Sequence, residues 1–512
     1  MPARLVVAGL AGESGKTLVS LALLLEARRR GIPVRAFKKG PDYIDAAWLG
    51  WASGQAARNL DTYLMGFERA TGSFARHAIA GGFNLVEGNR GLYDGVDASG
   101  THSTAELAKA LDAPVVLTVN ATKVTRTVAA MVLGCQRLDP AVRIAGVVLN
   151  QVCGARHERV LREAIETVCG LPVLGAIPRA PETPLPSRHL GLVTPQEHPE
   201  TDILAEGLLT LIKGRLNVDR LIELARQAPG LTVAPNESRA PAACGKNRRQ
   251  TNLSQNPSLQ STKDAFAEWT DASVRGSCDG LLDGRGLTIG YLRDSAFTFY
   301  YPENLEELAE SGAELVAISS AAESLPSAID ALYIGGGFPE THAQALAANE
   351  TFLASLRERA ADGLPVYAEC GGLMLLSRAI RWQGSRYAMA GVLPFEVEVC
   401  TSHQGHGYIE LLVDHANPFY PVGTRIKGHE FHYSRIIPGG PEPDTACTVR
   451  RGSGCSGGRD AVFLGNVWAS YTHVHAVATP EWAAGFLAAI RRSRVAPIPQ
   501  DSARPERQYL RR

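Results

Sequence analysis

The stretch Leu364-Pro-Val-Tyr-Ala-Glu-Cys-Gly-Gly-Leu-Met-Leu-Leu376 decides the fold of the second half of this chain. The apolar run 364–368 predicts a buried strand and the apolar density of 373–380 predicts a helix, so Cys370 falls at the turn between them. Glycines after such a turn allow tight backbone, and a helix N-terminus favours the thiolate, as a nucleophile requires. Most unpaired cysteines are inert and buried, so this stretch alone leaves both interpretations open.

Two histidines far downstream favour the catalytic interpretation. His473 and His475 lie beside the strand-like run 467–470, and a Cys–His pair distant in sequence is the minimum machinery for thiolate attack on an acyl group. The segment Gly335-Gly-Gly-Phe-Pro-Glu340 follows a predicted strand at 331–334. Its backbone N–H groups predict either an oxyanion hole or a tight crossing of chains where only glycine fits.

The composition predicts a two-domain globular protein. The chain has 512 residues, of which 45% are hydrophobic and 20% charged, with 52 acidic and 52 basic side chains. Such a balance argues against a nucleic-acid partner. Nine cysteines and no long apolar run predict a reducing compartment, the cytoplasm, and no membrane partner.

A phosphate-binding loop is predicted at the N-terminus. Strand 4–9 leads into Leu10-Ala-Gly-Glu-Ser-Gly-Lys-Thr17 and then into a helix over 18–30. Backbone N–H groups would cradle phosphates, Lys16 would reach the β- and γ-phosphates, and the Thr17 hydroxyl would bind Mg²⁺. Leu10 stands where the usual spacing has glycine, so the loop is a variant. The predicted ATP-binding residues are Gly12, Ser14, Gly15, Lys16 and Thr17.

Further polar residues follow other strands of this half. Lys38, after strand 34–37, could neutralise a transferring phosphoryl group, and Asp42 and Asp45 could hold metal or orient substrate, although Gly-Pro-Asp is also ordinary turn chemistry. Glu87, at the end of strand 83–87, could complete a Mg²⁺ site. Asn150 could contact a nucleotide base or cap a turn. Strands alternating with helices predict a parallel α/β sheet.

The connecting and terminal segments have a different composition. Periodicity vanishes from about 229 to 286, which predicts a partly disordered linker. A Gly- and Ser-rich stretch at about 438–459 and a basic tail at 496–512 are predicted at the surface.

Eight motifs in order make the chain resemble the cobyrinic acid a,c-diamide synthase family. They are Gly-Lys-Thr17, Lys39-Gly-Pro-Asp-Tyr-Ile-Asp45, Arg58-Asn-Leu-Asp-Thr62, Arg188-His-Leu-Gly-Leu192, Phe299-Tyr-Tyr-Pro-Glu-Asn-Leu305, Gly335-Gly-Gly-Phe-Pro-Glu340, Glu369-Cys-Gly-Gly-Leu-Met374 and Gly428-His-Glu-Phe-His-Tyr-Ser434. The resemblance implies an α/β fold in which an N-terminal P-loop NTPase domain similar to dethiobiotin synthetase joins a C-terminal class I glutamine amidotransferase domain. The implied organisation is an ATP-binding amidoligase domain at 1–228, the linker at 229–286, the amidotransferase domain at 287–495 and the tail at 496–512.

The resemblance also implies roles for individual residues. Cys370 would form a glutamyl thioester with His473 as its base, and His475 is the less favoured base. Lys38 would act at the γ-phosphate. The implied metal ligands are Thr17, Asp45 and Glu87, and the implied substrate residues are Asp42, Tyr43 and Asp94. Three departures stand out: Glu13 occupies a position where relatives often have glycine, Asn89-Arg90 replaces smaller apolar residues, and the long linker is atypical.

The implied reaction is ATP- and glutamine-dependent amidation of the a- and c-acetate carboxylates of cobyrinic acid through acyl phosphates, with ATP and Mg²⁺ as cofactors. Hydrogenobyrinic acid or nickel-sirohydrochlorin would use the same motifs. The alternative outside the enzymes is a nucleotide-dependent switch module whose C-terminal domain is catalytically inactive. The expected partners are small molecules (corrinoid, glutamine and ATP) and a second copy of the chain in a homodimer.

Overall fold

The computed structural model describes residues 2–179, 187–188, 191–198, 200–231, 282–437 and 442–495. Contacts divide the chain into two compact units, Met1–Ala234 and Pro235–Arg512. Most of the predicted linker and the whole predicted tail lie outside the described residues. The boundaries at 228 and 287 therefore stay predictions.

A seven-stranded sheet forms the centre of the first unit, in the order β3-β2-β4-β1-β5-β6-β7, and every pairing in it is parallel. Its strands are almost continuously buried because both faces are covered by helices. All their carboxyl ends meet at one edge, where ligands of such sheets bind. The strands are β1 (Ala3–Gly9), β2 (Val34–Lys39), β3 (Arg58–Leu60), β4 (Phe83–Glu87), β5 (Val115–Asn120), β6 (Ile144–Val152) and β7 (Val173–Pro178).

Helices pack on both faces of this sheet, and each face has its own buried apolar cluster. The short strands β8 (Ser187–Arg188) and β9 (Gly191–Leu192) pair antiparallel beside the main sheet. The helices are α1 (Lys16–Arg29), α2 (Tyr43–Ser53), α3 (Thr62–His77), α4 (Thr104–Ala110), α5 (Thr127–Leu138), α6 (Ala155–Cys169), α7 (Thr201–Ile212) and α8 (Val218–Arg226).

The second unit contains a mixed ten-stranded sheet. Its order is β11-β10-β12-β13-β22-β21-β20-β17-β18-β23, in which the first five strands run parallel and the rest are joined by antiparallel pairings. The strands are β10 (Thr288–Leu292), β11 (Glu314–Ile318), β12 (Ala331–Ile334), β13 (Val366–Glu369), β17 (Gly405–Val413), β18 (Arg425–His432), β20 (Thr445–Arg451), β21 (Arg459–Leu464), β22 (Val467–Ser470) and β23 (His473–Val474).

A four-stranded sheet and several helices complete the second unit. The small sheet has the order β15-β14-β16-β19. Its strands are β14 (Ala379–Trp382), β15 (Ser385–Ala388), β16 (Glu396–Val399) and β19 (Ser434–Ile437). The helices are α9 (Pro302–Glu310), α10 (Ala343–Ala348), α11 (Glu350–Ala361), α12 (Gly371–Leu376) and α13 (Glu481–Val495), with a 3₁₀ turn at Pro339–His342.

Two predictions of local structure are wrong. The helix expected to continue to Ile380 ends at Leu376, and Ala379 already begins β14. The apolar residues 379–380 are buried in a strand rather than a helix, and a short apolar run does not distinguish the two. The stretch 438–459 is also more than surface loop, because it contains β20 and the buried Cys455.

Candidate functional site

The loop after β1 has the backbone of a phosphate-binding loop. Gly15 has φ 94°, and a Cβ there would lie 2.1 Å from Asn150 Nδ2, so the position requires glycine. Ser14 Oγ donates to Ala11 O at 2.9 Å and accepts from Ala11 N at 3.2 Å, which closes the loop on itself. Glu13 is exposed with φ 55°, the left-handed region in which glycine is the usual residue. Asn150 Nδ2 donates to Ser14 O at 3.3 Å, so its observed contact supports the loop.

Charged side chains from three neighbouring strand ends meet at this loop. Lys38 Nζ lies 2.5 Å from Asp45 Oδ2 and 2.7 Å from Glu87 Oε1. The Thr17 hydroxyl donates to the same Glu87 oxygen at 3.0 Å. The parallel register places Lys38 opposite Glu87, which explains why the two charges meet. Lys16 is the first residue of α1. Its Nζ donates to Ala11 O at 3.2 Å, in the loop after β1, and to Arg90 O at 2.7 Å, in the loop after β4.

Burial and mutual charge shift the pKa values of this cluster. Burial alone would lower the pKa of Lys38, but Asp45 and Glu87 outweigh it and raise that pKa, so the ammonium stays charged. Burial raises the pKa of Glu87, with Lys38 opposing. The pKa of Lys16 is lowered by burial and by the charge of Lys38. A site with two crowded ammonium groups is poised to receive phosphate oxygens.

The donor set of this corner fits Mg²⁺. Asp45, Glu87 and Thr17 supply hard oxygen atoms, and Glu87 Oε2 is buried without a hydrogen-bond partner among the described residues. No group of three or more His, Cys, Asp or Glu side chains in the described ranges could hold a metal ion by itself. Mg²⁺ is commonly bound by one or two carboxylates together with substrate phosphates, so two carboxylates suffice when a nucleotide is present.

The three predicted substrate residues have local structural contacts. Asp42 Oδ1 accepts from Asp45 N at 2.9 Å and caps α2, and burial together with the charge of Asp45 raises the pKa of Asp42. Tyr43 is the buried first residue of α2. Asp94 Oδ2 accepts from Gly91 N at 2.8 Å in the loop after β4. Substrate contact by these residues therefore stays a prediction.

Cys370 occupies the predicted strand-to-helix turn between β13 and α12. Its backbone has φ 47° and ψ −96°, a strained conformation for a residue with a Cβ. The amide N–H of Cys370 donates to Ser470 O at 2.7 Å, which anchors the turn to β22. The side chain is 6% exposed, and burial raises the pKa of the thiol. Burial therefore acts against the thiolate-favouring effect that was expected from the helix N-terminus.

His473 lies near this turn, and the glycines Gly336, Gly337 and Gly371 lie between them. A Cβ on Gly336 would lie 2.4 Å from His473 Cε1, and a Cβ on Gly371 would lie 3.0 Å from Gly337 N. The imidazole, the glycine loop and the residue after Cys370 are therefore packed against one another. The structure brings the two residues predicted as nucleophile and base to one place.

Glu369 is the acidic residue that the sequence analysis missed. It is fully buried, and its Oε2 lies 3.5 Å from His473 Nδ1. The Val474 N–H donates to Glu369 Oε1 at 3.2 Å, and the Tyr333 hydroxyl donates to Oε2 at 3.4 Å. Burial raises the pKa of Glu369 to about 8 and lowers the pKa of His473 to about 3. The signal in the sequence was its position directly before the predicted nucleophile, on a buried strand. The alternation of side chains along that strand does not show that Glu369 contacts His473.

His475 lies in a separate environment. Its Nε2 is 3.6 Å from Glu303 Oε2, its ring packs on Tyr301 with centroids 4.5 Å apart, and it is fully buried. These contacts hold His475 against α9 and the residue before it. The choice of His473 over His475 as the base stays a prediction.

One amide of the glycine loop is available for an oxyanion. Gly335 N donates to the Tyr300 hydroxyl at 2.8 Å and Gly336 N donates to Phe299 O at 3.2 Å. The buried Gly337 N makes no hydrogen bond to any residue that the structure describes. It lies next to Gly371, the residue after the predicted nucleophile. The segment is therefore a close chain crossing that also presents a free donor, and its role as an oxyanion hole stays a prediction.

The motif Gly428–Ser434 supports the histidine segment from the neighbouring strand. His429 pairs with His473 in register, and their rings stack with centroids 5.4 Å apart. His432 stacks on Tyr471 at 3.7 Å with an interplanar angle of 5°. The motif therefore fixes the position of the predicted base.

Comparisons with known proteins match both halves of the chain. Residues 5–193 match the CobQ/CobB/MinD/ParA nucleotide binding domain, and residues 288–480 match the CobB/CobQ-like glutamine amidotransferase domain. Within the described ranges, none of the helices combines the length and the apolar character that a membrane crossing requires. The two matches agree with the two sites described above.

Curated relatives match nearly the whole length. A cobyrinate a,c-diamide synthase of Magnetococcus marinus is 40% identical over 96% of this chain and 97% of its own. Proteins of the same name from Syntrophotalea carbinolica and Archaeoglobus fulgidus are 36% and 35% identical, over 94% and 92% of this chain and 98% and 94% of their own. The alternative of a catalytically dead switch therefore loses its support. The chain belongs to the cobyrinate a,c-diamide synthase family and is a glutamine-dependent amidotransferase of the ligase class.

Proposed function

We propose that this protein uses ATP and glutamine to convert the a- and c-acetate carboxylates of cobyrinic acid into amides through acyl phosphate intermediates. The observation that carries the proposal is Lys38 between Asp45 and Glu87, at 2.5 and 2.7 Å, beside Lys16 of the phosphate loop. This arrangement suits activation of a carboxylate by phosphoryl transfer. The relatives' names support cobyrinic acid as the substrate.

In the activation step, a substrate carboxylate oxygen attacks the γ-phosphorus of ATP and ADP leaves. Positioning and charge neutralisation dominate such transfers. Lys16 would hold the β- and γ-phosphates, and Lys38 would exchange one of its carboxylate partners for the transferring phosphoryl group. Ammonia then attacks the acyl carbon, and phosphate leaves with the former carboxylate oxygen.

Thr17, Asp45 and Glu87 would hold Mg²⁺. When bound, the ion would neutralise charge on the phosphate oxygens. Lys38 lies between two of these ligands, 2.5 Å from Asp45 and 2.7 Å from Glu87.

The second unit would supply the ammonia. Cys370 Sγ attacks the side-chain amide carbon of glutamine, and His473 takes the thiol proton and delivers it to the leaving nitrogen. Gly337 N–H and Gly371 N–H would bind the oxyanion. Water then hydrolyses the thioester to glutamate. Because the pKa of His473 is about 3, the imidazole is neutral and can accept the proton, and Glu369 would stabilise the imidazolium and orient the ring.

Product mass tests the proposal. The purified protein is incubated with ATP and glutamine and with cobyrinic acid, hydrogenobyrinic acid or nickel-sirohydrochlorin in parallel. Two successive decreases of about one mass unit on cobyrinic acid, one for each OH replaced by NH₂, are expected. The same decreases on another macrocycle alone would reassign the substrate, and ATP hydrolysis without any decrease would refute the proposal. A cytoplasmic location and a homodimer stay predictions.

A further inference from the structure

Two basic residues lie at the carboxyl edge of the first sheet outside the cluster described above. Lys39 is the last residue of β2, and Arg90 lies in the loop that follows β4. Side chains alternate along a strand, so Lys39 lies on the face opposite to Lys38. That opposite face is the one on which Phe37 packs against Phe74 of α3, with ring centroids 4.8 Å apart.

Lys39 is buried, and no acidic side chain in the described ranges forms an ion pair with it. It is 5% exposed, yet its ammonium makes no hydrogen bond or ion pair with any residue in the described ranges. Asp61 lies near enough to favour the charged form of Lys39. However, Asp61 Oδ1 already accepts hydrogen bonds from the N–H groups of Tyr63 and Leu64 at 2.9 and 3.0 Å. A buried ammonium without a partner costs free energy, so this position is suited to an anion that binds from outside.

Arg90 is close to Lys39 and likewise has no acidic partner in the part of the chain that the structure describes. Gly40 follows Lys39, Asn89 precedes Arg90, and a Cβ on Gly40 would lie 3.1 Å from Asn89 Nδ2, so the two loops are in contact. The Arg90 backbone is held by Lys16, and the residue has φ 49°. Its guanidinium is exposed and forms no ion pair within the described part of the chain. The charge of Arg90 lies near enough to Lys39 to disfavour a second cation there.

We propose that Lys39 and Arg90 form an anion subsite for a substrate carboxylate other than the one that reacts at Lys38. This inference rests on the proposed function, whose substrate has at least two acetate carboxylates. Two adjacent cations, one with a planar guanidinium, match a carboxylate group. A nucleotide phosphate has similar chemistry, but the phosphate loop and Thr17 lie on the Lys38 side of β2, whereas Lys39 faces α3.

The test measures separate KM values for the macrocycle and for ATP. Lys39→Met keeps the buried stem and removes the charge, and Arg90→Gln removes the exposed charge. Each should raise the KM for cobyrinic acid about tenfold, the size of one charge-assisted contact, while the KM for ATP changes by less than about twofold. Lys39→Arg keeps the positive charge, so its KM for cobyrinic acid should be close to that of wild type. Lys213→Gln, which removes an exposed charge at the end of α7, is the matched control and should change neither KM.

Each other outcome overturns the inference in a recognisable way. A selective rise in the KM for ATP would assign the two cations to a nucleotide phosphate. Unchanged KM values in both variants, with wild-type turnover intact, would remove the subsite and leave the proposed function standing. If the wild-type protein amidated no macrocycle, the proposed function would fail, and this inference would fail with it.

Discussion

Replacing Glu369 with glutamine should increase stability at alkaline pH and decrease glutaminase activity. Glutamine has the shape of the protonated side chain and cannot become negative. Glu369 is fully buried, and burial raises its pKa from an ordinary 4.5 to about 8. The folded state therefore binds this proton more tightly than the unfolded state does. The stabilisation is complete below the unfolded pKa and is lost as pH rises toward the folded pKa.

The magnitude follows from the shift. Between about pH 5.5 and pH 8.5, this one group should lower the wild-type free energy of unfolding by about 3 kcal/mol, since each unit of pKa difference is worth about 1.4 kcal/mol. For a unit of this size, that change corresponds to about 6–12 °C in Tm. Glu369→Gln should lack this loss, so its Tm relative to wild type should rise by that amount over the same pH range.

Thermal unfolding of wild type and Glu369→Gln at both pH values measures the effect, because contributions from other groups cancel in the difference. Glutaminase activity provides a second readout. In wild type, kcat/KM should rise through about pH 8 as the Glu369 carboxylate forms beside His473, whereas the variant should be less active and lack that rise. If the Tm difference between wild type and Glu369→Gln were the same at both pH values, the claim that Glu369 is buried and protonated would be refuted. An unchanged pH profile would refute its action through His473.

Other substitutions test the two sites separately. Cys370→Ala should abolish glutamine-dependent amidation while ammonium salts still support turnover at alkaline pH; lost ammonia-dependent activity would contradict separate sites. Gly336→Ala should lower glutaminase kcat/KM at least about tenfold, because its Cβ would lie 2.4 Å from His473 Cε1, whereas Gly207→Ala has open space and should be silent. Lys38→Met should lower both glutamine- and ammonia-dependent amidation at least about a hundredfold, and activity within tenfold of wild type would exclude an essential charge there.

Much of the architecture could be predicted because the motifs mark strand ends. Lys38 and Glu87 each lie at the carboxyl end of a buried strand. A parallel sheet brings such ends to one edge, where the structure places Lys38 Nζ 2.7 Å from Glu87 Oε1. Cys370 was predicted at a strand-to-helix turn from apolar runs and glycines, and the turn is there. These predictions needed only local periodicity and the geometry of parallel sheets.

Contacts that depend on packing could not be predicted. The alternation of β13 does not say which residue of a distant strand meets Glu369, and that neighbour is His473. The helix N-terminus was expected to favour the thiolate of Cys370, but tertiary burial acts in the opposite direction and raises the pKa of the thiol. The apolar run after residue 376 was expected to be helical, and pairing with β15 and β16 makes it a strand. In each case the deciding partner is remote in sequence.

The transfer of oxygen from carboxylate to phosphate tests the acyl phosphate mechanism most directly. Cobyrinic acid with ¹⁸O in its acetate carboxylates is converted with ATP and glutamine, and the inorganic phosphate is analysed by mass. The proposed route predicts one ¹⁸O in phosphate for each amide formed, because phosphate leaves with the former carboxylate oxygen. The acyl phosphate route would be contradicted if amide formed while the phosphate contained no ¹⁸O, or if the ¹⁸O appeared in AMP.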